Sequence, residues 1–157
     1  MKNKFITFIN QSFISTGKYF IGKTITSLII GVVSFVVFTL LDIKLSWLIA
    51  LIFFIANFIP IFGPWAGAIL GGIIVIFQAP LFALYVIITS VLLQLIEQFL
   101  LIPLIIGKAI DLKPLIIVVV LILASLFLGF WGVLFAIPIA SVIQIGYNIF
   151  IKKEEKK

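Results

Sequence analysis

The sequence predicts an all-α integral membrane protein in which full spans alternate with broken helical hairpins. Three observations carry this reading. Of the 157 residues, 64% are hydrophobic and only 10% are charged, against the roughly one quarter charged that a soluble domain needs to cover its surface. Apolar runs long enough to span follow one another almost without interruption from Ile21 to Ile151, so the solvent for most of the surface is lipid. Two of these runs, 45–78 and 115–150, are interrupted at their centres by Pro and Gly.

The chain begins with Phe5, Phe8, Ile9, Phe13 and Phe20 set among Asn, Gln, Ser and Lys. This near-helical spacing predicts an amphipathic interfacial helix over 1–20. The polar Asn10-Gln11-Ser12 step argues against a secretory signal peptide. A multi-spanning domain is expected over 21–151, its first clean span covering 24–41 and ending at Asp42-Ile43-Lys44.

The stretch 45–78 is apolar at both ends and broken by Asn57-Phe58-Ile59-Pro60-Ile61-Phe62-Gly63-Pro64. Proline lacks the amide donor and clashes with the preceding turn, so this segment ends a helix. Each arm is about 14–15 residues, or ~22 Å of helix, against a hydrocarbon core of ~30 Å. Such arms suit a re-entrant hairpin whose tip is enclosed by protein, because bare backbone cannot face lipid. Gln78-Ala79-Pro80 restarts the chain, and 81–102 form a second full span ending near Pro103. After a polar gap containing Lys108, Asp111 and Lys113, residues 115–150 repeat the broken pattern. Gly129-Phe130-Trp131-Gly132 stands at the centre and Pro138 interrupts the second arm. A charged tail, 152–157, closes the chain.

Charge then orients the layout. If both broken stretches return to the side from which they entered, ten of the eleven lysines fall on one side and Lys44 alone on the other. The positive-inside rule makes the lysine-rich side cytoplasmic, together with both termini and the tail. The result is a span plus a hairpin, repeated in inverted orientation. Gly63-Pro64-Trp65 and Gly129-Phe130-Trp131 align at an offset of 66, as do Gln78 and Gln144. Inverted repeats with discontinuous helices are how many secondary transporters build a site at the bilayer midplane.

Composition also excludes chemistries. There is no Cys and no His, which removes disulfides, thiolate and His-zinc sites and Ser–His catalysis. Asp42 and Asp111 fall in separate polar gaps and do not form an aspartyl dyad. No enzyme, metal site or cofactor is expected. The net charge of +6 comes from lysines that flank spans, so anionic lipid headgroups rather than nucleic acid are the expected partner.

Glu97 is the single carboxylate well inside an apolar run. An ionisable residue at that depth is costly and marks a functional site by default. Ser90, Gln94, Glu97 and Gln98 share one helical face, giving a candidate site for a proton or monovalent cation; the bland alternative is a glutamate that only ties helices together. Asn57, Pro60, Gly63 and Pro64 at the first hairpin tip add an amide and freed carbonyls as candidate ligands for a small solute or ion. Gly129 and Gly132 are their counterparts in the second hairpin. Gly67, Gly71 and Gly72 read as a packing seam.

At these motifs the chain resembles the autoinducer-2 exporter family of bacterial membrane proteins, in its C-terminal half. The segment from Asn57 to Pro64 matches the family's N-x-I-P-x-x-G-P turn. Gln94-Leu95-Ile96-Glu97, then Pro103, Gly107 and Leu112-Lys113-Pro114, match its Q-x-x-E, P-x-x-x-G and L-x-P series. Gly129, Gly132 and Ala136-Ile137-Pro138 match its glycine pair and A-x-P element. The resemblance implies a multi-pass permease of the bacterial plasma membrane, with autoinducer-2 export or sodium–proton exchange as associated activities. Usual family chains are about twice as long, which implies a missing N-terminal half or a split or reduced member; a homo-oligomer is also expected.

Overall fold

The computed structural model describes residues 2–59, 62–106 and 114–152, and the described residues are helical throughout apart from short turns. The chain forms two compact units, one of Gly22–Ile105 and one of Met1–Ile21 with Ile106–Lys157. Two helical stretches, Asn3–Leu40 and Pro80–Ile105, are long and apolar enough to cross a membrane, and a third of that length and composition, Ile116–Ile151, is interrupted at Gly129.

Helix α1 runs from Lys2 to Leu40, 39 residues. The segment expected to lie at the interface and the first expected span are therefore one helix. Nothing between residues 18 and 24 can break it, since no proline occurs there and a single Gly22 costs only ~1 kcal/mol. At 1.5 Å per residue α1 is about 58 Å long, nearly twice a ~30 Å hydrocarbon core.

In the first unit α1 packs beside a helical hairpin. Helix α2 (Ser46–Ala56) and helix α3 (Phe62–Ile76) are 11 and 15 residues long, about 16 and 22 Å, and both fall short of the hydrocarbon core. Three glycines of α3 let the arms close. A Cβ on Gly63 would collide with the Ala56 carbonyl, one on Gly67 would meet the Phe53 ring at 3.2 Å, and one on Gly71 would lie 2.9 Å from Ile49. Gly72 faces open space, so the seam expected from three glycines uses two of them. Helix α4 (Pro80–Ile96) starts with Pro80 in its first turn, where a missing N–H costs nothing. It continues as a ten-residue π-helical segment, Glu97–Ile106. That wider register accommodates Pro103, which would break an α-ladder.

Burial in this unit follows a stripe on α1. Lys23, Ser27, Ile30, Ser34 and Phe38 recur at steps of three and four and are all buried. Ile30 and Phe38 join Ile43, Ile49, Phe53, Val75, Val86, Leu93 and Leu101 in one apolar core, with the Phe38 and Phe53 rings edge to face at 5.5 Å. Most large apolar side chains on the other faces are exposed, the arrangement expected where lipid is the solvent.

The second unit holds helix α5 (Pro114–Tyr147), which continues into a short π-helical segment, Asn148–Lys152. Helix α5 folds back at Gly129, whose φ of 58° and ψ of −136° suit glycine alone. Leu121 and Ala124 before the turn share a core with Ala136 beyond it, and Gly132 sits against the Ala124 carbonyl. The second broken stretch is thus also a helix–turn–helix. The N-terminal part of α1 packs in this unit through Ser15 Oγ to Ser141 Oγ, 2.7 Å, and through the Phe8–Phe150 and Phe20–Phe135 ring pairs.

Candidate functional site

The first unit brings its polar side chains to one place. Helix α2 ends at Ala56, and the turn that follows is held by the Phe58 and Ile59 amides donating to the Ile55 and Ala56 carbonyls. That turn leaves Asn57 facing inward, 3% exposed. Its Nδ2 donates to Glu97 Oε1 at 2.9 Å and to Ser27 Oγ at 3.1 Å. Both amide hydrogens are used, so Asn57 ties the hairpin turn to α1 and to the start of the π-helical segment.

Glu97 is 5% exposed, and its Oε1 accepts a second, charge-assisted bond from Lys23 Nζ at 2.7 Å. A carboxylate and an ammonium taken out of water must compensate each other, and this pair does so at hydrogen-bond distance. Ser90, two turns before Glu97, donates to the Pro64 carbonyl at 2.7 Å. This contact locks α4 onto the start of α3.

A small cavity lies between these groups, with room for little more than a water molecule. Asn57, Gly63, Pro64, Ser90, Gln94 and Glu97 line it, together with the apolar Ile30, Phe53 and Leu93. The lining thus carries a carboxylate, two amides, a hydroxyl and a backbone carbonyl at a helix break.

Five of the eight expected site residues meet there: Glu97, Gln94, Asn57, Gly63 and Pro64. Pro60 lies outside the described residues. Gly129 and Gly132 form the turn of the second hairpin in the other unit, where Leu128, Phe130 and Trp131 around them are apolar and exposed. Gln98, placed on the polar face by spacing, is exposed; the change to π-helical register at Glu97 turns it away. Ser27 and Lys23 were missed. Lys23 reads from sequence as one of the lysines flanking the first span, yet it is 6% exposed and part of the centre. The signal was available in its spacing, four residues before Ser27 and eleven before Ser34 on one face of α1.

A buried, charge-compensated polar centre among helices long and apolar enough to span is the pattern of a polytopic membrane protein. Comparison with known families gives the particular one. Residues 1–152 match the model of the AI-2E family transporters, and the chain belongs to that family. It is 32% identical over 80% of its length to "Putative transport protein YueF" of Bacillus subtilis, covering 34% of that protein. Identity to "AI-2 transport protein TqsA" of Escherichia coli is 28% over 87% of this chain and 40% of that one. The chain thus spans between about a third and two fifths of the length of these relatives.

Proposed function

We propose that this chain forms the translocating part of a membrane permease that moves a small solute, with Glu97 as its ion-coupling centre. One observation carries the reading: the Glu97 carboxylate is buried, lines a cavity and is bonded to Asn57 in the turn between two short helices. Discontinuous helices place polar backbone and side chains at membrane depth without exposing them to lipid, which is how many transporters bind solute and ion. The name of TqsA makes AI-2 the first solute to try.

In this reading the two helix–turn–helix stretches are re-entrant and oppositely oriented, in a bacterial plasma membrane with both termini cytoplasmic. The lysine distribution supports that orientation. Sodium–proton exchange is the second reading, favoured by the buried Lys23–Glu97 pair, since a centre already holding a cation can trade it. Assembly with a further segment or with copies of itself accompanies either reading.

The test is flux in proteoliposomes holding the purified chain, alone and co-expressed with a segment equivalent to the remainder of a relative. AI-2 and sodium or proton movement above empty vesicles supports the reading, and Asn57→Ala should reduce it. No flux in either preparation, with folding shown by circular dichroism, contradicts it.

A further inference from the structure

The turn of the first hairpin is only partly covered by its own unit. Asn57 and Gly63 are buried, whereas Phe62 and Trp65, at the start of α3, are 59% and 57% exposed. A helix break frees backbone carbonyls that hydrocarbon cannot satisfy, so such a turn stands inside protein or against water. Depth decides which is open to it, since water reaches the membrane boundary and not the midplane.

The helices themselves measure that depth. Lys44 and Gln78 are hydrogen-bonded to each other and stand at one level. This level is a membrane boundary, because Asp42 and Lys44 are exposed and hydrocarbon excludes their charges. Trp47, exposed close by, fits the aromatic belt found there. From this level α1 runs back from Leu40 to Lys23 and α4 runs forward from Pro80 to Glu97, each over about 26 Å. The Lys23–Glu97 pair, 2.7 Å apart, joins their far ends. Against a hydrocarbon core of ~30 Å the pair lies near the opposite boundary, well past the midplane at ~15 Å. The usual helix tilt of ~20° shortens the depth only to about 24 Å. Helix α3 gives a third measure, about 21 Å from Ile76 to Phe62. Its side chains lean toward its N-terminus, which is the turn end, so the Phe62 and Trp65 rings extend further still.

We propose that the tip of the first hairpin is a docking surface for the lipid headgroup layer of the leaflet opposite Lys44, with Phe62 and Trp65 seated in it. An indole joins a broad apolar ring to one N–H donor, the combination that gathers at headgroup level. Headgroup water then satisfies the carbonyls of the turn, in place of the enclosing protein that the sequence led us to expect. The chain still returns to the Lys44 side, but its tip reaches almost across. The polar centre beside the tip is therefore shallow on one face. Phe38, Phe53, Val75 and Val86, all buried in one apolar core, fill the helices between it and the Lys44 face.

The experiment uses the full chain in phosphatidylcholine vesicles that carry a spin label either near the headgroup or near the end of the acyl chain. The chain has three tryptophans, so Trp47→Phe with Trp131→Phe leaves Trp65 alone. Its fluorescence should be quenched at least about twofold more by the shallow label than by the deep one, as for a residue of the aromatic belt. Trp65→Phe with Trp131→Phe leaves Trp47 as the boundary reference. Sidedness comes from cysteines, which the chain lacks, and this arm carries the test if the tryptophan variants do not fold. Phe62→Cys should react with an impermeant maleimide from the face opposite the one at which Lys44→Cys reacts. Stronger quenching of Trp65 by the deep label, or reaction of Phe62→Cys from the Lys44 face, overturns the proposal. A folded chain in which neither label quenches Trp65 and Phe62→Cys reacts from neither face has its tip covered by protein, a second copy or another segment, and overturns it too. None of these readings uses flux, so failure of the permease reading leaves the proposal standing.

Discussion

Gln78 closes both backbone hydrogen-bonding groups of Lys44: its Oε1 accepts from the Lys44 amide at 2.9 Å and its Nε2 donates to the Lys44 carbonyl at 3.1 Å. These residues stand at the two ends of the first broken stretch, so the stretch leaves and returns at one level. The clamp also holds a strained turn, because Leu45, next to Lys44, has a φ of 62°.

Removing the clamp should loosen the hairpin without unfolding the protein. Gln78→Ala loses two hydrogen bonds, about 1–3 kcal/mol in total. Thermal unfolding in detergent should show the loss, and Gln78→Glu, which keeps only the acceptor, should fall between wild type and Ala.

The same clamp makes the orientation testable. Single cysteines replacing Lys44 and Gln78 should react with an impermeant maleimide from the same side of the membrane. Those replacing Lys113 and Lys153 should react only from the opposite, cytoplasmic side. Labelling of the Lys113 position together with Lys44 would mean that one broken stretch crosses the membrane instead of returning.

The buried ion pair predicts a strong asymmetry between single and double replacement. Lys23→Met leaves Glu97 buried without its cation and should cost about 3–5 kcal/mol. Lys23→Met with Glu97→Gln removes both charges and should recover more than half of that loss. A double-mutant cycle on unfolding in detergent measures the coupling directly, and additive losses would mean that the two side chains are not paired.

Glycines provide a second contrast. Gly63→Ala and Gly132→Ala each place a methyl group against a backbone carbonyl of the facing arm, so the hairpins must open, at about 1–3 kcal/mol or more. Gly72→Ala meets nothing within 4 Å and should be neutral, or stabilising by up to ~1 kcal/mol through helix propensity. Gly129→Ala should cost about 1–3 kcal/mol for its backbone angles alone. Thermal unfolding of the four variants ranks them.

What could be read from sequence divides along physical lines. Proline and glycine act on their own turn of chain, so the breaks after Ala56 and at Gly129 and the restart at Pro80 were legible residue by residue. Glu97, Gln94 and Asn57 stood out because polar groups inside apolar runs need partners. Which partners they take was not legible, since Lys23 and Glu97 are 74 residues apart and Lys44 and Gln78 are 34 apart. A lysine near the start of a span has the same local pattern whether it faces headgroups or a buried carboxylate. The continuity of α1 was missed because the change from mixed to apolar composition near residue 20 resembles a boundary, while the backbone there has no reason to stop. The π-helical register after Glu97 depends on how the chain accommodates Pro103 and leaves no separate pattern.

The account stands on Glu97 as the coupling centre, and gradient-driven flux in proteoliposomes tests it most directly. Glu97→Gln keeps the size of the side chain but removes its charge; because it also strands Lys23, the neutral pair Lys23→Gln with Glu97→Gln serves as the folded reference. Flux measured with and without an imposed proton or sodium gradient should respond to the gradient in wild type and lose that response in both variants. Gradient-dependent flux at the wild-type level in the folded double variant would contradict the account.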